Sequence, residues 1–354
     1  MKVIVVGPDS KRAKGGISSV IQAMKENRWL VEQAGMEFYP SYREGSRLFK
    51  VLYGMKQIAN FSRVVDQYDL VHIHMSIKGS AERKMKYARI AKRHGKKVVI
   101  HIHGSSFLHY YQGLKPNKQK KLQRCLQTAD CVLALSPQWK ADLERTVGLN
   151  NCVMLLNGVS LKRFPAKNKP FASRNLDMLF LGRLGVRKGT DDLLLAMERM
   201  QKDGLPFRCV MAGDGPVAEY KEKVRAMGLE EQVTFAGWIN GAEKLVLLED
   251  ARLLLLPSYH EGLPMSILEA MAAGEAIIST PIGGIPEAVH DGENGILVQP
   301  GDAEGLYQAI SALLNDPGKA EAMGRRSREI VDEKYDLKKL HEQLYAEYCR
   351  VLEG

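Results

Sequence analysis

Short runs of β-branched and aliphatic residues alternate with longer amphipathic stretches along the chain, and this alternation restricts the fold to a parallel α/β architecture. In the first half the runs are Val3–Val6, Leu70–Ile73, Lys97–Ile102 and Cys131–Leu135, with helical patterns such as Ile17–Asn27 and Glu82–His94 between them. In the second half they are Met178–Leu181, Phe207–Ala212, Val233–Ala236, Ala251–Leu256 and Ala276–Ser279, separated by helical patterns at Thr190–Lys202 and Ala218–Met227. A length of 354 residues accommodates two such units. The stretch Leu161 to Arg174 contains Pro165 and Pro170 and little apolar periodicity, and reads as the seam. The expected division is a first domain 1–165, a second 166–335, and a terminal helix 336–354 with Leu337, Leu340, Leu344, Tyr348 and Leu352 at helical spacing. Ligands of doubly wound sheets sit beyond the carboxyl ends of the strands. The strand-to-helix loops are therefore where chemistry is expected.

Composition narrows the class. No segment reaches the roughly 20 apolar residues of a membrane helix. The opening Met1-Lys2-Val3-Ile4-Val5-Val6-Gly7 is too short for a signal sequence and reads as a first buried strand. The five cysteines form no C-x-x-C pair, which argues against structural zinc or a disulfide framework and for free thiols in a reducing cytoplasm. The net charge of +10 is uneven: residues 1–165 hold 29 Lys and Arg against 11 Asp and Glu, a formal +18, and the remainder holds 22 against 30, a formal −8. A basic half points to a polyanionic or membrane partner.

Several loops carry candidate groups. After the first strand come Gly15 and Gly16 at a helix start, with Lys11, Arg12 and Lys14 nearby; the backbone can approach an anion there, or the segment is a plain turn. His103-Gly104 follows the strand ending at Ile102, so His103 lies at a strand mouth. His101, His72 and His74 lie close by in sequence, but no acidic or cysteine ligand accompanies them, and the expectation is no metal. Gly182-Arg183-Leu184-Gly185-Val186-Arg187-Lys188-Gly189 sets two cations, Arg183 and Lys188, at another mouth, as a diphosphate requires or as a solvated basic loop would. Gly213-Asp214-Gly215-Pro216 is a tight turn, and Gly237-Trp238-Ile239-Asn240 could cover a nucleobase. The strongest segment is Glu261-Gly262-Leu263-Pro264-Met265-Ser266-Ile267-Leu268-Glu269. Pro264 marks a helix start, which leaves the amides of Met265 and Ser266 as free donors at the positive end of the helix dipole. Two acids beside an anion site repel the anion unless they bind hydroxyls, and a nucleotide sugar supplies both phosphate and hydroxyls.

These segments resemble glycosyltransferase family 4, a group of retaining enzymes with the GT-B fold. Glu261 and Glu269 match the E-x7-E pattern, supported by Gly182-Arg183-Leu184, Lys188-Gly189, Gly213-Asp214-Gly215-Pro216, Glu269-Ala270-Met271-Ala272 and Gly283-Gly284-Ile285-Pro286-Glu287. Gly15-Gly16 and His103-Gly104 match more loosely. The chain departs from many relatives at Leu263. The resemblance implies two Rossmann-like domains facing across a cleft, an acceptor-binding N-terminal one and a nucleotide-sugar-binding C-terminal one, with the last helix crossing back to the first. It implies a catalytic set of His103, Glu261, Arg183 and Lys188. Donor binding falls to Gly15, Gly16, Arg183, Lys188, Gly262, Leu263, Pro264, Met265, Ser266 and Glu269, with Glu269 on the ribose and Glu261 on the transferred sugar. It implies no cofactor and no divalent metal, since fixed cations and a helix start stabilise the leaving diphosphate. The resulting expectation is a hexose transferred from a nucleoside diphosphate sugar, UDP before GDP, to a glycan or lipid-linked acceptor of cell-surface polysaccharide or glycolipid synthesis. A nucleotide-sugar 2-epimerase of the same fold and a basic nucleic-acid-binding protein are the competing readings, the latter disfavoured by the acidic second half.

The run Lys78 to Lys97 holds nine basic residues and one acid, and Phe107-Leu108-His109-Tyr110-Tyr111 follows. Basic residues beside exposed aromatics suit an anionic membrane surface. The location expected is cytoplasmic, peripheral on the inner face of the membrane if that surface is used.

Overall fold

The computed structural model describes residues 1–354 apart from Lys11, Lys14, Gly104, Ser105, residues 165–168 and Asn240, and the backbone alone of Arg47. The sequence readings that fall on Lys11, Lys14, Gly104, Asn240 and Pro165 therefore lie outside the described residues.

The near-continuous apolar runs become strands buried on both faces, as parallel sheets require. The first sheet contains β1 (Val3–Pro8), β2 (Glu37–Tyr42), β3 (Leu70–Met75), β4 (Lys97–Ile102), β5 (Cys131–Ala134) and β6 (Cys152–Met154), in the order β2-β1-β3-β4-β5-β6. The second contains β7 (Leu176–Leu181), β8 (Cys209–Ala212), β9 (Val233–Gly237), β10 (Ala251–Leu256), β11 (Ala276–Ser279) and β12 (Gly295–Leu297), in the order β12-β11-β10-β7-β8-β9. All these pairings are parallel. The winding direction reverses between β1 and β3 in one sheet and between β7 and β10 in the other, and such switch points open a crevice for ligands.

Contacts divide the chain into residues 1–157 with 337–354, and residues 158–336. The division thus falls before the seam expected at 161–174. That segment belongs with the second sheet: Phe164 and Phe171 are buried. The Arg174 guanidinium donates to the carbonyls of Ala251 (2.6 Å), Ala273 (2.7 Å) and Gly274 (3.2 Å). The helix Leu337–Glu353 packs with the first sheet, where Leu344, Tyr348 and Val351 share a core with Val3, Val5, Leu70, Val99 and Leu133. Strands β2 and β6 and the helix Arg47–Val64 are additions to the sequence expectation. Both strands are sheet edges with partly exposed residues, so neither carries the apolar run that marks a central strand. No helix among the described residues is long and apolar enough to cross a membrane.

The terminal helix completes the core of the first unit, so Leu344→Ala should destabilise that unit by about 3 kcal/mol. The readout is the shift in urea midpoint, and an unchanged midpoint would mean that the helix lies idle on the sheet.

Candidate functional site

At the crevice between β7 and β10, two charged side chains are buried against each other. The turn Val186–Lys188 follows β7, and its Tyr259 N–H to Arg187 O bond of 2.9 Å ties it to the loop after β10. Gly189, with φ +64°, closes the turn; a Cβ there would lie 2.0 Å from the Pro257 carbonyl oxygen, so only glycine lets the two mouths meet. Lys188 Nζ donates to Glu261 Oε1, and their side chains are 10% and 9% exposed. Ser258 Oγ donates to the same oxygen at 3.1 Å, and Arg187 Nη1 approaches it at 3.4 Å while donating to His260 O at 2.9 Å. Burial lowers the pKa of Lys188, and the Glu261 charge opposes that shift. Three donors thus converge on Oε1, and none of these bonds engages Oε2.

The helix Met265–Ala272 begins just beyond Glu261. Pro264 caps it from outside and does not occupy its first turn as expected, and the helical ladder begins with Ile267 N–H to Pro264 O at 3.1 Å. Met265 and Ser266 precede that ladder, as an anion site at a helix start needs. Glu269 lies within this helix, and its Oε1 accepts from Lys244 Nζ at 2.5 Å, the side chains being 12% and 22% exposed. From the adjacent β11 the Gly283-Gly284 loop clamps the Glu261-Gly262 backbone. Gly284 N–H donates to Gly262 O at 2.7 Å, and a Cβ on Gly283 (φ +55°) would lie 2.0 Å from Glu261 O.

Arg183 is 64% exposed and pairs with Asp214 at 3.1 Å, so it stands at the rim, apart from the Lys188–Glu261 pair. Gly262, Leu263 and Pro264 follow Glu261 directly, with Leu263 buried. Trp238 lies 41% exposed beyond β9.

In the first unit Gly15 caps the helix Gly16–Glu26 without a side chain, and Cβ atoms at Gly15 and Gly16 would meet nothing within 4 Å. His103 follows β4, its N–H donating to Met75 O at 2.8 Å and its Nε2 lying 2.8 Å from His74 Nδ1. Burial lowers its pKa to about 3, so the ring is neutral at pH 7. The aromatic surface expected at Phe107–Tyr111 is not present. Phe107 and Tyr111 turn inward from the helix Phe107–Gln112 and are buried in the core. Lys84, one of the run of basic residues, is also buried and donates to Val6 O at 2.8 Å and to Ser41 Oγ.

Sequence reasoning singled out Lys188, Glu261 and Glu269, and the structure adds their partners Lys244, Arg187 and Ser258. Arg187 and Ser258 lie inside loops already singled out by their glycines. Lys244 is on the helix Gly241–Asp250, four residues beyond the Gly237–Asn240 loop, and no motif includes it.

Residues 2–163 match the family described as Glycosyltransferase Family 4, and residues 163–330 match that described as Glycosyl transferases group 1. A glycogen synthase of Mycobacterium tuberculosis is 30% identical over 190 residues, 53% of this chain and 46% of that protein, so the match spans just under half of the relative's length. The structure of a sucrose-phosphate synthase from Thermosynechococcus elongatus superposes with a TM-score of 0.79 at 22% identity, covering 99% of each chain. That of Anabaena Alr3699/HepE in complex with UDP gives 0.78 at 18% identity, covering 99% of this chain and 100% of that one. At these identities the superpositions carry the fold, which is GT-B.

Removing one partner of a buried ion pair costs about 3–5 kcal/mol, whereas replacing both is close to neutral. Lys188→Met should therefore destabilise the second unit by about 3 kcal/mol. Adding Glu261→Gln should restore most of that loss in the denaturant midpoint. An equal loss in the single and double variants would show that the two charges are not coupled.

Proposed function

The chain belongs to glycosyltransferase family 4, and we propose that it transfers a hexose-type sugar, with retention and without a divalent metal, from a UDP-sugar to a glycan or lipid-linked acceptor. The observation that carries this reading is the Lys188–Glu261 pair beside the first turn of the helix Met265–Ala272 at the β7–β10 switch point. Lys188 supplies a fixed cation and the Met265 and Ser266 amides supply donors, which together suit a diphosphate. Arg183 joins them by leaving Asp214, an exposed pair worth little. Glu261, held through Oε1, offers Oε2 to the hydroxyls of the transferred sugar. Glu269 offers its carboxylate to the ribose, with Lys244 fixing its orientation. Gly15 and Gly16 leave room for close approach by phosphate, and neutral His103 hydrogen-bonds the sugar or acceptor in the first unit.

The chemistry follows from the charges. The bond from the anomeric carbon to the diphosphate oxygen breaks, and Lys188 with the helix-start amides stabilises the charge that develops on that oxygen. The acceptor hydroxyl forms the new bond on the same face, and its proton passes to the departing phosphate. UDP is favoured because HepE, which shares the fold, was solved with UDP and with UDP-glucose. Among UDP, GDP and ADP, UDP should raise the melting temperature most. Glu269→Ala and Lys188→Ala should each abolish calorimetric binding of the UDP-sugar while leaving a folded chain. Unchanged binding in both would sink the assignment, and epimer formation from the UDP-sugar without any acceptor would favour the 2-epimerase instead.

A lipid-linked acceptor implies work at a membrane surface, and a different element from the one expected provides the apolar face. On the helix Arg47–Val64, Leu48, Val51, Leu52 and Met55 are 69%, 54%, 57% and 63% exposed and share one stripe at helical spacing. This stripe belongs to the strongly basic half of the chain, which suits anionic headgroups. The chain should sediment with anionic vesicles at low salt, and the double substitution Leu48→Glu and Leu52→Glu should leave it in the supernatant. Wild-type protein that stays in the supernatant would remove the membrane from the proposal.

A further inference from the structure

Four histidines are packed together inside the first unit, and hydrogen bonding leaves several of their ring nitrogens unused. On β3 the period of two puts His72 and His74 on one face, and the parallel register pairs His74 with His101 on β4. His103 follows two residues later. His72, His74 and His101 are at most 2% exposed. Their rings lie nearly face to face, with centroids 4.4 Å apart for His72 and His74, 5.3 Å for His74 and His101, and 5.6 Å for His72 and His101.

Hydrogen bonds engage one side of two of these rings. His72 Nδ1 meets the Tyr348 hydroxyl at 2.5 Å, and His74 Nδ1 meets His103 Nε2 at 2.8 Å. Nε2 of His72, Nε2 of His74 and both nitrogens of His101 are buried without a hydrogen-bond partner. Buried polar atoms are rarely left in that condition, and four at one place ask for an explanation. One ring nitrogen from each of His72, His74 and His101 lies within 4.8 Å of the others.

We propose that His72, His74 and His101 are the ligands of a buried transition-metal ion, Zn2+ or a metal of similar preference. Three imidazole nitrogens are the donor set that such ions prefer, and the absence of a carboxylate from the group disfavours Mg2+ and Ca2+. Tetrahedral bonds of 2.0–2.1 Å put ligand nitrogens about 3.4 Å apart, so binding requires the rings to turn out of their stacked arrangement until their in-plane lone pairs converge. Tyr348 and His103 engage Nδ1 of His72 and of His74, as the outer partners of histidine metal ligands do, which leaves Nε2 of each for the ion. Burial also keeps the three rings neutral, with their lone pairs available. The adverse neighbour is the buried Lys84, which is itself held well below the usual lysine pKa by burial and directs its protons to Val6 O and Ser41 Oγ. The ion would bind β3 and β4 together and, through His72 and Tyr348, to the terminal helix. It uses no residue of the Lys188–Glu261 donor site and meets the transferase reading only at His103, the outer partner of His74, and the proposal stands whether or not that reading does.

The test uses the full untagged chain, stripped with a chelator and then loaded with Co2+ or Zn2+. Wild type should keep about one equivalent after gel filtration and show the visible absorption of nitrogen-ligated tetrahedral Co2+. Zn2+ should raise its melting temperature by about 5 °C. His101→Leu should lose all three signals and His109→Ala, on an exposed histidine, should lose none; UDP binding should be the same in all three proteins. Wild type that retains no metal, or His101→Leu that retains as much as wild type, overturns the proposal. If His101→Leu does not fold, the wild-type Co2+ spectrum decides alone, and an octahedral, oxygen-type spectrum overturns it.

Discussion

The second unit is organised around a lysine and a glutamate that neither could bury alone. Removing either charge from water costs several kcal/mol, and that cost is offset only when the partner is close and further donors saturate the carboxylate. Glu261 has Lys188, Ser258 and Arg187 on one oxygen, so the charges are compensated without help from solvent. The backbone around them follows from this requirement. Gly189 lets the β7 mouth touch Pro257, and Gly283 lets the β11 mouth touch Glu261. Three strand mouths are thereby drawn together, and the helix Met265–Ala272 is aimed from beside the pair. Lys188 is thus fixed by its own pairing, and under the proposed function that fixed charge suits electrostatic stabilisation of a leaving group.

The first unit meets the problem of buried polarity in another way. Its sheet carries histidines where a parallel strand ordinarily carries aliphatic residues. Tyr348, from the far end of the chain, supplies the hydrogen bond that His72 needs. The terminal helix is therefore both an apolar cover for Val3, Val5 and Leu70 and a polar partner for the interior. Buried polar groups specify a unique packing more sharply than aliphatic ones do, because a shift of register leaves them unpaired.

Much of the architecture was legible from local pattern. Central strands such as Lys97–Ile102, Ala251–Leu256 and Ala276–Ser279 coincide with their apolar runs, because burial on both faces leaves little room for polar residues. Strand β2 was not legible: it is an edge strand, contains Pro40, and leaves most of its residues partly exposed. The helix Arg47–Val64 was missed because Leu48, Val51, Leu52 and Met55 are exposed beside Lys56, Ser62 and Arg63, so apolar residues do not mark its buried face. The Phe107–Tyr111 aromatics were misread as surface since a helical turn that buries residues 107 and 111 has the same composition as one that exposes them.

What the sequence determined by itself was the kind of structure and the chemistry of each loop. Period-two and period-3.6 patterns, glycines where backbones meet, and a proline before a helix are recorded within a few residues of where they act. Only the tertiary structure decided which loops share a site. Lys188 and Glu261 are 73 residues apart, His72 and Tyr348 are 276, and Lys244 reaches Glu269 from a helix with no signature of its own. Strand order and register set those meetings, and both arise from burying the whole set of strands and helices at once. The same glycines, lysine and glutamate would read alike in a chain that never brought them together.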